Sequence, residues 1–402
     1  MTTGATRPAL PLPRARLVLL LGALTAFAPA AIDMYLPAFP AIARELGVEI
    51  GEVEFTVPAF LLGMAAAQAF YGPLSDRVGR RGPLIAGALI FALAAVGCAL
   101  AHSIGALLGW RVVMALGGGA GLVVARAVVR DWFEVRDAAH LFAQLMLVMG
   151  AAPILAPLIG GQMLLLTGWR GIFGLLTGFG LLVAALVVFA LPESLPPDRR
   201  AHGGLGAVLT GYGRMLTHRV FAGYTIAAAC ASGVLFSYIT GASAVFTGYY
   251  GVSPQKFGFV FGLNSLAIIG ASQLNRKLLH HYSLRTLLNA AYGLLAVTVV
   301  ALAVAGATGW GGLPALMVLL FVTLGAVGSI FPNVAALAME PHAKSAGSAS
   351  AVLGASQYVV GCTAGALVGW RHDGTAGPMT LTIAGCAIAG WVGLKFLTRE
   401  SR

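Results

Sequence analysis

Charge is scarce in this chain. Only 10% of its 402 residues are Asp, Glu, Lys or Arg, against about 25% in a soluble globular domain. With 58% hydrophobic residues and a mean hydropathy of +0.88, that scarcity excludes a surface that meets water over most of the fold. Acid is scarcer than base, and the net charge is +11. The basic residues nevertheless sit in short clusters between apolar runs, a topology signal and not a nucleic-acid-binding face. Cysteine is also sparse. Cys98, Cys230, Cys362 and Cys386 each lie alone in an apolar run, so no C-x-x-C pair offers a zinc site or redox centre, and the four read as small packing hydrophobes. The eight histidines fall near predicted helix ends or in loops, which leaves no histidine relay across a membrane. Glycine is the exception, with 54 residues and no G-X-Y period. Small residues let membrane helices approach closely.

Apolar runs of about 20 residues mark membrane helices, and twelve are predicted: 16–38, 55–75, 83–101, 105–126, 138–165, 168–191, 219–247, 255–275, 285–306, 311–338, 347–370 and 376–397. The fifth and sixth are separated by a turn at Gly168-Trp169-Arg170. Ala28-Pro29-Ala30 resembles a signal-peptidase site, but the charge distribution favours an uncleaved first helix. With twelve spans, twenty of the 25 Lys and Arg fall on the side of the termini, and the acidic stretch Glu45, Glu49, Glu52, Glu54 falls on the other. The positive-inside rule then makes both termini cytoplasmic, in a bacterial inner membrane.

The halves echo each other. Gly168-Trp169-Arg170 recurs as Gly369-Trp370-Arg371, and Gly109-Trp110 as Gly309-Trp310. The expected fold is an all-α membrane protein of twelve transmembrane helices in two pseudo-symmetric six-helix bundles, 1–191 and 219–402, joined by a cytoplasmic linker, 192–218. Two parallel halves around a midplane site is the plan of alternating-access carriers.

Few residues break the apolar pattern. Asp33, in APAAIDMYLP, is an acid inside the first span, where burial costs at least about 2.5 kcal/mol. It can hold a proton or a cationic group, or form a structural ion pair with Arg111. Arg111, in GWRVVMALGGGAG, is the one arginine well inside a span, and Asp33 or a backbone carbonyl is its expected partner. GPLSDRVGRRGPL carries Gly72, Asp76, Arg77, Gly79, Arg80 and Arg81 between the second and third helices, suited to charge contacts that differ between states or to simple anchoring. Pro153 and Pro157, followed by Gly160 and Gly161, free helix carbonyls, which suits a pivot, a leak seal or a passive kink. Tyr35, Phe236, Tyr238, Asn264 and Gln357 are candidates for an amphipathic pocket, with ordinary helix packing as the alternative.

These motifs together resemble the twelve-helix drug:proton antiporters of the major facilitator superfamily. GPLSDRVGRR is similar to the loop signature, WRVVMALGGG to the helix-four arginine motif, and APLIGG to the helix-five antiporter motif, with Ala156 where glycine is usual. IDMYLPAFPAIA, GWRGIF, LPESL, SYITGASAVF and SASAVLGASQ further resemble the bicyclomycin and chloramphenicol resistance (Bcr/CflA) subfamily. The resemblance implies proton-coupled efflux of small amphipathic antibiotics, with Asp33 in coupling beside Arg111, Asp76 and Arg77 in the gating loop, no cofactor, and the proton as coupling ion. The expected partners are a small-molecule substrate and the bilayer, and the expected state is a monomer. The second half carries only an eroded loop signature, QLNRKLLHHYS. A second acid does not accompany Asp33 in the first helix, which favours neutral or monovalent substrates. A metabolite carrier of the same fold, for a nucleoside or amino acid, is the alternative. A membrane-embedded enzyme or sensor is more remote, since a catalytic cluster inside the bilayer and an appended soluble domain are both missing from the sequence.

Overall fold

A computed structural model describes residues 13–200, 213, 215, 217–340 and 346–398. Among these the regular structure is helical throughout: α1 (Arg14–Thr25), α2 (Phe27–Asp33), α3 (Phe39–Leu46), α4 (Ile50–Glu54), α5 (Thr56–Val78), α6 (Arg81–Ala99), α7 (Ile104–Trp132), α8 (Val135–Ala190), α9 (Arg219–Ser243), α10 (Pro254–Leu278), α11 (Leu284–Thr308), α12 (Gly312–Met339), α13 (Ala346–Trp370) and α14 (Gly377–Leu397), with short 3-10 and π turns between some of them.

Among the described residues ten helical segments are long and apolar enough to cross a membrane, and the bent pair Ala15–Thr25 and Phe27–Leu46 supplies an eleventh crossing. The twelfth comes from α8. Its 56 residues would reach about 84 Å at 1.5 Å per residue, far beyond a hydrocarbon core of about 30 Å. The chain turns within it at Gly168, whose φ of 70° and ψ of −177° few residues other than glycine can adopt. This is the predicted break between spans five and six. The first crossing runs further than the predicted 16–38. It continues through a 43° bend to Leu46, because Pro37 and Pro40 start short helical turns and do not end the span.

Large apolar side chains remain on the outside, as a lipid-facing surface requires: Leu19, Leu166, Phe189 and Val297 are all more than two-thirds exposed. In the first half α5 and α6 pack on α7, and α6, α1 and α2 pack on α8. In the second, α9 packs on α13 and α14, and α12 on α10 and α11. The halves meet along two seams, α5 against α13 and α8 against α10. Contacts across them run from the face opposite the basic loops to mid-depth. Gly51 faces Gly369 and Gly161 faces Pro254 at that end, while Gly354 meets Gln68 and Gly150 meets Ile269 deeper in. The sequence echoes differ locally. Trp169 is buried and Trp370 exposed, and Gly109 is helical where Gly309 caps α11 in the left-handed region.

Candidate functional site

Asp33 is the last residue of α2 and is 3% exposed. Its Oδ1 has no hydrogen-bond partner among the described residues, and no ion pair there reaches it. The segment that follows is clasped from both halves. A Cβ on Gly160 of α8 would overlap the Met34 carbonyl oxygen, so only glycine allows that approach. Ser243 Oγ, at the end of α9, donates to the Leu36 carbonyl at 2.6 Å. Tyr238 of α9 interacts electrostatically with Asp33. The acid therefore lies at the junction of the two bundles.

Arg111 takes the second of the two partners expected for it, a backbone carbonyl. Fully buried on α7, it donates through NH1 to the Ala31 carbonyl at 2.8 Å and, more weakly, through Nε to that of Thr56 at 3.4 Å. Its guanidinium lies 4.3 Å from the Tyr35 ring centroid and 4.4 Å from that of Phe60. Arg111 thus ties α2 and α5 to α7 two residues before Asp33, and forms no ion pair with it.

The expected pocket residues divide. Tyr35, with no exposed surface, is committed to the Arg111 cradle and shares a 2.7 Å hydrogen bond with Thr56 Oγ1. Tyr238 and Asn264 are likewise buried, with Asn264 Nδ2 donating to the Tyr238 hydroxyl at 3.1 Å and Phe261 stacked on the tyrosine ring. Asn264 Oδ1 lacks a partner among the described residues. Phe236 and Gln357 are half-buried, and Phe236 lies 6.0 Å from Tyr358 across α9 and α13. A cleft of about 250 Å³ between α9, α11 and α14, lined by Tyr224, Arg285, Asn289 and Lys395, contains none of the five.

In the loop motif, Gly79 ends α5 at φ 98°, which turns the chain so that Arg80 points inward. Arg80 is 6% exposed. It donates to Asp131 Oδ2 at 3.0 Å, to Ser75 Oγ at 2.9 Å and to Asp76 Oδ1 at 2.5 Å. Glu193 accepts from the backbone N–H groups of Arg80 and Arg81 at 2.7 and 3.2 Å, and Ser194 Oγ donates to Asp131. Burial alone would lower the Arg80 pKa; the Asp131 and Asp76 carboxylates outweigh it and raise it. Gly72 faces open space, while Asp76 and Arg77 are exposed. Asp131 and Glu193 did not figure among the candidate residues, although the LPESL stretch contains the latter. Pro153 and Pro157 lie inside α8, whose one departure from helical dihedrals is Gly168. Gly161 presses on the Pro254 carbonyl, so the motif touches both the Asp33 segment and the other half.

The acidic stretch expected on the outer side of the membrane is not wholly exposed: its last member, Glu54, is 1% exposed, a second buried acid beside Asp33. A Glu49–Glu52 capping box starts α4 and carries Glu54 beneath α13, where His372 Nδ1 lies 3.3 Å from its Oε2.

The comparisons with known proteins agree with this architecture. The family model described as Major Facilitator Superfamily matches residues 21–366. The chain belongs to the major facilitator superfamily. This facilitator is 32% identical to the bicyclomycin resistance protein homolog of Haemophilus influenzae over 96% of both chains. It is 30% identical to a chloramphenicol resistance protein of Pseudomonas aeruginosa over 71% of this chain and 68% of that one. Both names fit the Bcr/CflA drug antiporters. The partially occluded, inward-open xylose transporter XylE of Escherichia coli superposes with a TM-score of 0.72 at 12% identity, covering 95% of this facilitator and 97% of that chain, a likeness of fold. The facilitator is a multi-pass membrane transporter of small molecules and not an enzyme.

Proposed function

We propose that this transporter is a proton-coupled exporter of small amphipathic antibiotics of the bicyclomycin and chloramphenicol type, working by alternating access of its two six-helix halves. The supporting observation is Asp33, buried in the junction between the halves, with no ion pair and no hydrogen bond to its Oδ1 among the described residues. A carboxyl group in that position is costly when ionised and alone. A proton relieves it, and so does a donor or cationic group of a substrate. Occupancy by one at the expense of the other is what exchange requires. Residues 1–191 and 219–402 form the moving units, joined by 192–218. With the basic loops in the cytoplasm, closure on the opposite face makes the present arrangement inward-facing. The transporter acts as a monomer, with the proton as coupling ion and no cofactor. One proton entering down 100 mV releases about 2.3 kcal/mol, enough for roughly a fifty-fold gradient of a neutral solute.

The test uses proteoliposomes and labelled chloramphenicol, with and without an imposed pH gradient. Wild type is expected to move the drug with the gradient, and Asp33→Asn, which keeps size but cannot ionise, to lose gradient-driven movement while remaining folded. Full coupled transport by Asp33→Asn would overturn the role of the acid. No drug movement by wild type would turn the search to nucleosides and amino acids as substrates.

A further inference from the structure

Glu54 closes α4 in the first half, and His372 follows α13 in the second, yet the two meet on the face opposite the basic loops. Carboxylates are almost never buried as deeply as Glu54 unless paired. Its partner is the His372 imidazole at 3.3 Å, a charge contact rather than an aligned hydrogen bond, since neither carboxylate oxygen has a hydrogen-bond partner among the described residues. Backbone packing fixes the pair: a Cβ on Gly51 would stand 2.8 Å from His372 Cβ and 3.1 Å from the Gly369 carbonyl oxygen. His372 keeps about a fifth of its side chain exposed, so solvent protons on that face reach it.

We propose that Glu54 and His372 form a second proton-binding site, shared by the two halves, which holds this face of the transporter closed when a proton is bound. With the proton on the imidazole, cation and carboxylate attract across the seam. Without it, a buried carboxylate faces a neutral ring, and separating the halves returns that carboxylate to water. The charged groups that act on the imidazole besides Glu54 are Glu49, which caps α4, and Asp373; Glu52 on α4, Arg44 and Glu45 on α3, and Arg371 are the other charges these elements carry. Glu45 is held by Arg170 and Trp169, while Asp373 and Glu49 favour the imidazolium.

The direction of the pH effect follows. Contact with Glu54 pushes the His372 pKa up in the closed arrangement, against burial, which lowers it. The open arrangement leaves the imidazole near its ordinary value of about 6.5. Closure is therefore fully supported below that value and is lost as pH rises through the raised one. The site acts on the conformational equilibrium and stands whether or not Asp33 couples transport.

The experiment is a distance measurement between spin labels at His102→Cys and Ala307→Cys, on this face of opposite halves, in nanodiscs, with the four native cysteines replaced by alanine. Between pH 5.5 and 8.5 the closed-to-open ratio of the otherwise native chain is expected to fall severalfold as the imidazole loses its proton. His372→Gln is expected to flatten that titration, and His372→Lys, with its permanent charge, to hold the short distance at every pH. Asp33→Asn is expected to keep the step, which separates this site from the coupling acid. A wild-type titration in either His372 variant would overturn the proposal. So would loss of the step in Asp33→Asn alone. Should the Gln variant fail to fold, the Lys variant decides.

Discussion

Asp33 and Arg111 both bear on α2 yet do not pair, and the reason lies in what else each touches. Arg111 donates to two carbonyls and lies against two rings, an arrangement that uses the flat guanidinium and that an ammonium cannot copy. Desolvated cation–π contacts contribute about 2 kcal/mol. Arg111→Lys, although it keeps the charge, is therefore expected to lower the thermal unfolding midpoint in detergent and to abolish transport. The check is a melting curve by fluorescence-detected size exclusion beside a drug-efflux assay. A Lys variant with native melting and full efflux would mean that charge alone suffices there. The sequence identified both residues because a charge inside an apolar run is conspicuous. It left the partner of Arg111 open, because that choice depends on how α2 meets α7. Glu54 was hidden for the opposite reason. Among loop acids it stands out only once the helices have assembled over it.

At the scale of elements, spans were legible from hydropathy alone, since a helix must satisfy every backbone group in lipid and its length is set by the bilayer. Ends were less legible. The first crossing continues past Pro37 and Pro40 because proline is tolerated in the first turn of a new helical segment, and hydropathy does not register a bend. Gly168 was found by its turn residues, as expected of a position whose φ favours glycine. Helix-to-helix fit is where α8 offers its test. Gly160→Ala would drive a methyl into the Met34 carbonyl, a backbone atom that cannot swing aside. Overpacking of this kind costs about 1–3 kcal/mol, and here it would displace the Asp33 segment. A lower melting temperature and lost efflux are expected for Gly160→Ala. Gly174→Ala on the same helix, with open space at its Cβ, should leave both unchanged. Equal effects at the two positions would show that helix propensity, and not the close approach, matters.

The whole molecule adds what neither residues nor helices show, namely which face is shut. The internal echoes pointed to two similar halves, but the seams between those halves are made by residues far apart in the chain, such as Gly51 with Gly369 and Gly161 with Pro254. Glycine-rich composition announced close packing without assigning the pairs. Because these contacts lie toward one end of the bundle, a carrier that alternates access must part them in every cycle. A covalent link there should trap the present arrangement. Gly51 and Gly369 are the candidates for it, since a Cβ built on each stands 3.1 Å from the other's carbonyl oxygen, which brings the two backbones together at the seam. In a background without native cysteines, Gly51→Cys with Gly369→Cys is expected to lose its transport on oxidation and to regain it on reduction, while the activity each single variant retains is unchanged by oxidation. Transport that persists after complete cross-linking, measured by mass shift of a cleaved and rejoined chain, would mean that this seam does not open and that the halves pivot elsewhere.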